Sequence, residues 1–418
     1  MAYTYNINDS ASNKKINNCV LTCHMLAIII NMFVSTFLVA HIYSFNGDTY
    51  TYIYNVSIYN IFIYLTFFIT YIPFSYLVDK TNRISIYRIG LIIKAALVII
   101  IIFFGKELSK LLILAGIMNG IAESLYYTSY NIIKEEMVGK QSMTAFMSST
   151  YVISRIIQVI CPILLGMLID VTTFSQTALV VFIICTIQIL ISFGIKSQKP
   201  AGSHFNLKEF LHKLNDIPET KKKLKIIYIA SFIFGTTTMI VTLINVCVML
   251  QYGSNLSLGT ISGIFAFVSI FALFFMKKFT TSNNRKCLMI ISATITIISG
   301  IVFAIIINSI TLIILNGTIT VLSMFYKYLY DVYRNSILKK SGLYSEIAEH
   351  HAVVECIMNL ARVFTFLLLM IVGILKSMFI FKLYTVITVT GSASMFIILM
   401  IYENKFEKNN ENKKEASH

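Results

Sequence analysis

The amino-acid sequence predicts an all-α polytopic membrane protein with twelve transmembrane helices in two pseudo-symmetric six-helix bundles. Three observations lead to this fold class. First, 57% of the residues are hydrophobic and only 13% are charged, which is about half the charged share of soluble domains. Second, twelve apolar stretches are each long enough to cross about 30 Å of hydrocarbon as a helix. Third, the cations between these stretches collect on one side.

The apolar stretches form two sets of six, separated by one long polar interruption. Within it, Leu207, Phe210, Leu211 and Leu214 follow the i, i+3, i+4, i+7 spacing of a short amphipathic helix, which we expect on the cytoplasmic face. The predicted spans are 20–45, 51–78, 84–104, 110–133, 145–169, 176–195, 225–251, 257–276, 287–308, 311–337, 352–375 and 378–402. The predicted domains are a polar tail at 1–19, a bundle at 20–195, the linker at 196–224, a bundle at 225–402 and a charged tail at 403–418.

The positive charge is strongly asymmetric across the predicted membrane. Of the 34 lysines and arginines, 24 lie on the side that carries the N-terminal tail, the loop at 79–83, the linker and the C-terminal tail. We call this the basic side. The opposite side carries four, and the other six lie within or at the ends of spans. Positive residues favour the cytoplasm, so we expect both termini to be cytoplasmic. Membrane orientation therefore explains the net charge of +15, and we expect no nucleic acid as a partner.

The two halves of the chain repeat. Matching residues lie 202 positions apart near the second span, 204 apart at the end of the fourth and 207 apart in the fifth. The matched pairs are Asn82-Arg83 with Asn284-Arg285, Asn131 with Asn335, Arg155 with Arg362, and Gly166 with Gly373. Small loop insertions would produce such a slowly growing offset, which supports two related bundles.

Several ionisable residues lie deep within predicted spans, where a charge costs about 2.5–3.5 kcal/mol on insertion scales. Glu123 and Lys327 occupy equivalent positions at offset 204, and Arg155 and Arg362 at offset 207. Glu123 is a candidate to carry a coupling proton. The alternative is that Glu123 pairs permanently with Lys94 or Arg155 and holds helices together. The excess of deep cations favours an anionic or zwitterionic substrate over a cationic one.

Two tyrosines complete the candidate site. Tyr126 and Tyr330 are equivalent at offset 204, and each offers a ring and a hydroxyl to a bound organic molecule or to the helix core. The seven cysteines are scattered without metal-ligand spacing, so we expect no metal. We also expect no cofactor.

The loop FSYLVDKTNRISI resembles the signature loop of the major facilitator superfamily, Gly-x-x-x-Asp-Arg/Lys-x-Gly-Arg-Lys/Arg. Asp79, Lys80 and Arg83 match this pattern, whereas Ser75 and Asn82 replace its glycines. A degraded copy, KKFTTSNNRK, follows the eighth span. The resemblance covers residues 20–402.

The resemblance implies a secondary transporter that works by alternating access. Spans one, four, seven and ten would line a central cavity, with Glu123 and Lys327 facing each other across it. The signature loop would be a tight connection that helps to hold one conformation, with Asp79 bonding to nearby helix N-terminal amides. The gating residues implied by the motif are Asp79, Lys80, Arg83 and Arg285.

Proton-coupled drug exporters of this family carry two further markers that are largely absent. The position on span four where those exporters carry an arginine, four residues before a glycine, is occupied here by Gly116. Of their Gly-Pro-rich motif on span five, only Pro162 and Gly166 are present. We nevertheless expect proton-coupled transport of a small organic solute, with export of an amphipathic compound favoured over uptake of an anionic metabolite.

Other classes of protein fit the sequence less well. A membrane transferase would have to rely on the cluster Glu346, Glu349, His350 and His351, which resembles an ordinary loop. We therefore expect no enzymatic activity. The bias towards Ile, Asn and Lys suits a bacterial plasma membrane, and a monomer is the default for the fold.

Overall fold

The computed structural model describes residues 10–45, 48–137, 139–196, 205–279 and 284–407. Within these ranges, twelve helices are long and apolar enough to cross a membrane, which confirms the predicted fold class. The spanning helices are α1 (Ser10–Met32, continued by a π-helical turn at Phe33–Phe37 and by Leu38–Tyr43), α2 (Thr49–Lys80), α3 (Arg83–Phe104), α4 (Leu112–Met137), α5 (Gly139–Val171), α6 (Phe174–Ser192), α7 (Pro218–Thr238, continued by Ile240–Tyr252), α8 (Asn255–Phe279), α9 (Arg285–Ile305), α10 (Ser309–Lys340), α11 (Ile347–Leu375) and α12 (Met378–Tyr402). The linker helix is Leu207–Asp216.

Several helices extend beyond the apolar stretches that predict them. Helix α7 begins at Pro218 rather than at 225, and α5 begins at Gly139 rather than at 145. Proline suits the first position of a helix because its φ is already helical and its missing N–H would be unpaired there. Hydropathy finds only the part of a helix that lies in hydrocarbon, so the polar first turns are missed.

The connection between α2 and α3 is as tight as the sequence suggests. Only Thr81 and Asn82 separate the two helices. The side-chain oxygen of Asn82 accepts a hydrogen bond from the Ile84 amide at 3.0 Å, which caps an otherwise unpaired N–H of α3. A helix break of two residues explains the five polar residues between two apolar runs.

Contacts divide the chain into two compact units. The first contains 1–45, 69–204 and 254–263, and the second contains 46–68, 205–253 and 264–418. In the first unit, α3 packs against both α4 and α6. One hydrophobic core of this unit contains Cys23 of α1, Tyr87 of α3 and Tyr126 of α4, all of which are buried.

Small residues allow a very close crossing of α5 and the start of α8 in the first unit. A Cβ placed on Gly259 would overlap the carbonyl oxygen of Pro162 and lie 2.8 Å from its carbonyl carbon. A Cβ on Gly263 would lie 2.6 Å from the carbonyl oxygen of Val159. Glycine is therefore required wherever the two backbones meet.

Where α5 ends beside the start of α8, Asp170 of α5 caps the amino end of α8. The carboxylate of Asp170, at the end of α5, accepts hydrogen bonds from the Ser254 hydroxyl at 2.9 Å and from the Leu256 amide at 2.9 Å. It also accepts bonds from the side-chain and main-chain nitrogens of Asn255. A carboxylate at the amino end of α8 satisfies free N–H groups and complements the helix dipole.

In the second unit, α7, α9, α10 and α12 surround a large apolar core. Phe325 and Tyr330 of α10 lie in it with Phe396 of α12. Phe210 and Leu214 of the linker helix are buried in the same core, whereas Leu211 is 45% exposed. The apolar face of the linker helix therefore packs on the protein.

Ionic contacts hold the linker helix to the start of α11. The Lys213 ammonium lies 2.8 Å from Glu346, and the Asn206 amide donates to Glu349 at 2.9 Å. Hydrogen bonds to Glu346 and then to Glu209 raise the pKa of Lys213. Two acidic residues of the cluster considered for a transferase thus contact the linker.

Candidate functional site: a buried ion pair beside a small cavity

A buried ion pair of the first unit joins α3 to α4. The Lys94 ammonium donates to a carboxylate oxygen of Glu123 and to the side-chain oxygen of Asn119, at 2.5 Å in both cases. The side chains of Lys94 and Glu123 are only 9% and 15% exposed. This geometry matches one alternative derived from the sequence, in which Glu123 pairs with Lys94.

The local sequence explains why the two helices approach closely enough for this pair. A Cβ on Gly90, one turn before Lys94, would lie 3.1 Å from the Cβ of Leu125 and 3.2 Å from the carbonyl oxygen of Ala122. Glycine at this position lets α3 lie against α4. Two buried charges each lose hydration, and mutual attraction with added hydrogen bonds offsets that loss only when the geometry is good. Asn119 supplies such an additional bond.

A small cavity opens beside the pair. Its volume is about 10 Å³, close to the roughly 10–15 Å³ that a single buried water needs. Its lining residues come from α1, α3, α4 and α6: Ala27, Ile30, Asn31, Gly90, Leu91, Lys94, Ala122, Glu123, Tyr126 and Gln188. The cavity suits water or a proton better than a whole organic solute.

Tyr126 connects this cavity to a polar contact on α1. Its ring is buried, and its hydroxyl lies 2.8 Å from Nδ1 of His24. The imidazole of His24 stacks on Tyr130, with ring centroids 4.4 Å apart. Tyr126 therefore has a polar partner within the bundle as well as a place in the cavity wall.

The equivalent tyrosine in the second unit has a similar environment. Tyr330 is buried, and its hydroxyl lies 2.7 Å from the hydroxyl of Ser231 on α7. Its ring stacks on Phe234, with centroids 5.5 Å apart. In both units a buried tyrosine hydroxyl thus bonds to a polar side chain of the first helix of its half.

Arg362 also lies in the second unit. Its guanidinium donates to Asn359 at 2.9 Å and to the Thr238 hydroxyl at 3.3 Å. It lies over the ring of Tyr64, 5.2 Å from the centroid. These contacts orient the guanidinium through neutral groups.

Arg155 and Lys327 lie in less buried surroundings. The guanidinium of Arg155 donates to Gln158 at 3.1 Å and lies 5.2 Å from the ring centroid of Tyr151, both on its own helix. Lys327 is exposed, on α10. Arg155 belongs to the first unit and Lys327 to the second.

The four residues of the gating motif lie at helix ends. Asp79 and Arg83 form an ion pair at 3.9 Å with side chains only 10% and 6% exposed, whereas Lys80 is exposed. Arg285 pairs with Glu403 at 3.3 Å. The ion pair and the Asn82 cap together fix the two-residue connection between α2 and α3.

Sequence reasoning missed His24 and Gln188. A single histidine in an apolar span gives no periodic signal, but the offset of 204 that relates Tyr126 to Tyr330 also relates His24 to Tyr228. Gln188 is buried and donates to the main-chain oxygen of Cys23 at 2.8 Å. Such a contact, 165 residues apart in the chain, depends on the packing of α1 against α6.

The model of the Major Facilitator Superfamily matches residues 20–344 of the chain. The uncharacterized protein YqgE of Bacillus subtilis (strain 168) is 25% identical over 237 residues, which cover 56% of this chain and 54% of YqgE. The chain thus spans about half the length of this curated relative.

Solved structures show the same fold. The nucleoside transporter NupG superposes with a TM-score of 0.66 at 14% identity, covering 93% of this chain and 99% of NupG. A bacterial homologue of the iron transporter ferroportin, in an inward-facing state, gives 0.66 at 12% identity, with 96% and 100% covered. The peptide transporter POT gives 0.64 at 12% identity, with 93% and 94% covered.

A multi-pass architecture of twelve apolar helices and the match over most of its length define the chain as a membrane transport protein. It belongs to the Major Facilitator Superfamily. The fold is that of the transporters to which the chain is similar.

Proposed function

We propose that this chain is a proton-coupled secondary transporter and that Glu123 takes up and releases the coupling proton. The buried Lys94–Glu123 pair carries this proposal. The ion pair has no net charge, and it tolerates burial because the two opposite charges stabilise each other. Protonation of Glu123 removes that compensation and leaves a buried cation, which favours a different arrangement of α3 and α4. A proton can thus change which conformation is stable.

The size of the cavity supports a proton rather than a solute at this position. A volume of about 10 Å³ is too small for an organic molecule, whereas both charged side chains line the cavity. The solute would bind elsewhere in the fold, and the proton site would act on it through the conformational change. Alternating access couples the two sites in this way.

We propose export of a small amphipathic compound from the cytoplasm of a bacterial cell by a monomer whose termini are both cytoplasmic. The basic side of the chain supports this orientation. The second candidate is uptake of an anionic metabolite, which Arg362 favours. Its guanidinium is oriented by Asn359, Thr238 and Tyr64, and an oriented guanidinium suits bidentate binding of a carboxylate.

Accumulation of rhodamine B, a zwitterionic amphipathic dye, in efflux-deficient bacterial cells tests the proposal. We expect cells that express the wild-type chain to accumulate less dye than empty cells, and a protonophore to abolish the difference. Glu123→Gln should abolish it as well, because the amide cannot exchange a proton. Glu107→Gln is the matched control, since that carboxylate is exposed and lies outside the cavity.

Two outcomes would redirect the assignment. Equal dye accumulation with and without the wild-type chain, at confirmed membrane expression, would contradict export of an amphipathic compound. Uptake of labelled carboxylates that Arg362→Gln reduces would then support the second candidate. Transport that Glu123→Gln leaves intact would contradict the proposed role of Glu123.

A further inference from the structure

The hydrogen bond between His24 and Tyr126 lies at the wall of the cavity, because Tyr126 is one of the lining residues. Tyr126 lies three residues after Glu123 on α4, and both residues line the same cavity. The hydroxyl of Tyr126 lies 2.8 Å from Nδ1 of His24. A chain of groups that exchange protons thus runs from the cavity to α1.

We infer that Tyr126 and His24 form a proton relay between Glu123 and the basic side of the membrane. This inference rests on the proposed function, because it supplies the route by which the proton on Glu123 leaves. It gives His24, which has no place in the signature motif, a role in transport.

The depths of the residues agree with this direction. Glu123 lies ten residues from position 133, where the apolar stretch of its span ends on the basic side, or about 15 Å along the helix. His24 lies four residues from position 20, where the first apolar stretch begins on the same side, or about 6 Å. His24 is therefore nearer to the basic side, and its half-buried ring bridges part of the remaining distance.

The proton moves through groups that can both accept and donate. The relay requires the His24 tautomer with its hydrogen on Nε2, so that Nδ1 accepts from the Tyr126 hydroxyl. Glu123 releases its proton through the cavity to the Tyr126 oxygen as the hydroxyl proton passes to Nδ1. The imidazolium then loses its Nε2 proton to water on the basic side, which leaves a carboxylate and the imidazole tautomer with its hydrogen on Nδ1. Exchange of this hydrogen with water, with reprotonation at Nε2, restores the starting tautomer before the next proton arrives.

The surroundings of His24 favour passing a proton on rather than storing it. On α4 it faces Tyr126, Tyr130 and Lys134, and the Lys134 ammonium lies 5.8 Å from the centroid of the Tyr130 ring on which His24 stacks. Like charges repel, so an ammonium at this place disfavours a second positive charge on the stacked imidazole. The core around the start of α1 also contains Tyr87 of α3, Cys23 of α1 and Phe146 of α5, which are uncharged. The Arg88 guanidinium of α3 donates to the main-chain oxygens of Ser192 and Ile195.

A pH jump on the reconstituted, substrate-free protein tests the relay. Vesicles adsorbed on a solid-supported membrane receive a rapid pH step, and the transient current reports proton binding. We expect a current in the wild type that Glu123→Gln abolishes. His24→Gln and Tyr126→Phe should retain the total charge moved but slow its rise by about 100-fold, the lower end of what a positioned acid–base group contributes.

Matched variants separate a relay from a structural contact. His212→Gln removes an exposed histidine of the linker helix and should leave the rate unchanged. In His24→Ala, added imidazole should restore the rate, which a purely structural role would not allow. A wild-type rate in folded His24→Gln, with the Glu123-dependent current intact, would overturn the relay and leave the proposed function standing. A current that Glu123→Gln does not change would overturn both.

Discussion

Replacing Lys94 by methionine is expected to destabilise the protein by about 3–5 kcal/mol, the cost of removing one partner from a buried ion pair. Glu123 would remain among the helices with Asn119 as a neutral neighbour and without its cation. The free energy of unfolding in detergent, measured by chemical denaturation with the wild type alongside, gives this difference directly.

Two control variants make the result specific. Lys110→Met removes a lysine whose pair with Glu107 is exposed, with side chains 77% and 71% accessible, and should cost about 1 kcal/mol at most. Replacing Lys94 and Glu123 together by methionine should recover much of the lost stability, because no unpaired buried charge is left. Transport should still be abolished in this double variant, because Glu123 is missing. A loss in Lys94→Met no larger than in Lys110→Met would contradict the assignment of a tightly coupled pair.

Gly259→Ala is expected to cost about 3 kcal/mol or more, at or above the upper end of typical overpacking penalties. The new methyl group would overlap the main-chain oxygen of Pro162, so relief requires movement of a helix rather than of a side chain. The thermal unfolding midpoint of the purified protein measures this effect.

A second glycine-to-alanine change serves as its control. Gly391 lies within α12, where an added Cβ meets nothing within 4 Å, so Gly391→Ala should be neutral or slightly stabilising because alanine favours helices. Equal midpoints for the two variants would mean that α5 and α8 do not cross as closely as described.

The fold could be predicted from the sequence because membrane helices depend on an average property. Long runs without charges predict spans wherever they occur, and the loop around Asp79 adds a family signature. Helix ends were less accurate, as at Pro218, because the polar first turns of α7 lie outside hydrocarbon and carry no hydropathy signal.

The site depended on packing that the sequence does not encode locally. Glu123 was predicted as important because a charge in a span is costly, yet its partner is decided by how α3 lies against α4. Gly90, which permits that approach, has no distinguishing mark in the sequence. The family resemblance instead implied Lys327 as the residue facing Glu123, and that pairing remains a prediction.

The proposed proton chemistry of Glu123 is tested most directly by infrared difference spectroscopy of the wild-type protein and Glu123→Gln during a pH titration. We expect the wild type and Glu107→Gln to gain a protonated-carboxyl C=O band on acidification that Glu123→Gln lacks. Such a band would assign a titrating proton to Glu123. Identical difference spectra for the wild type and Glu123→Gln would contradict its role as the proton carrier.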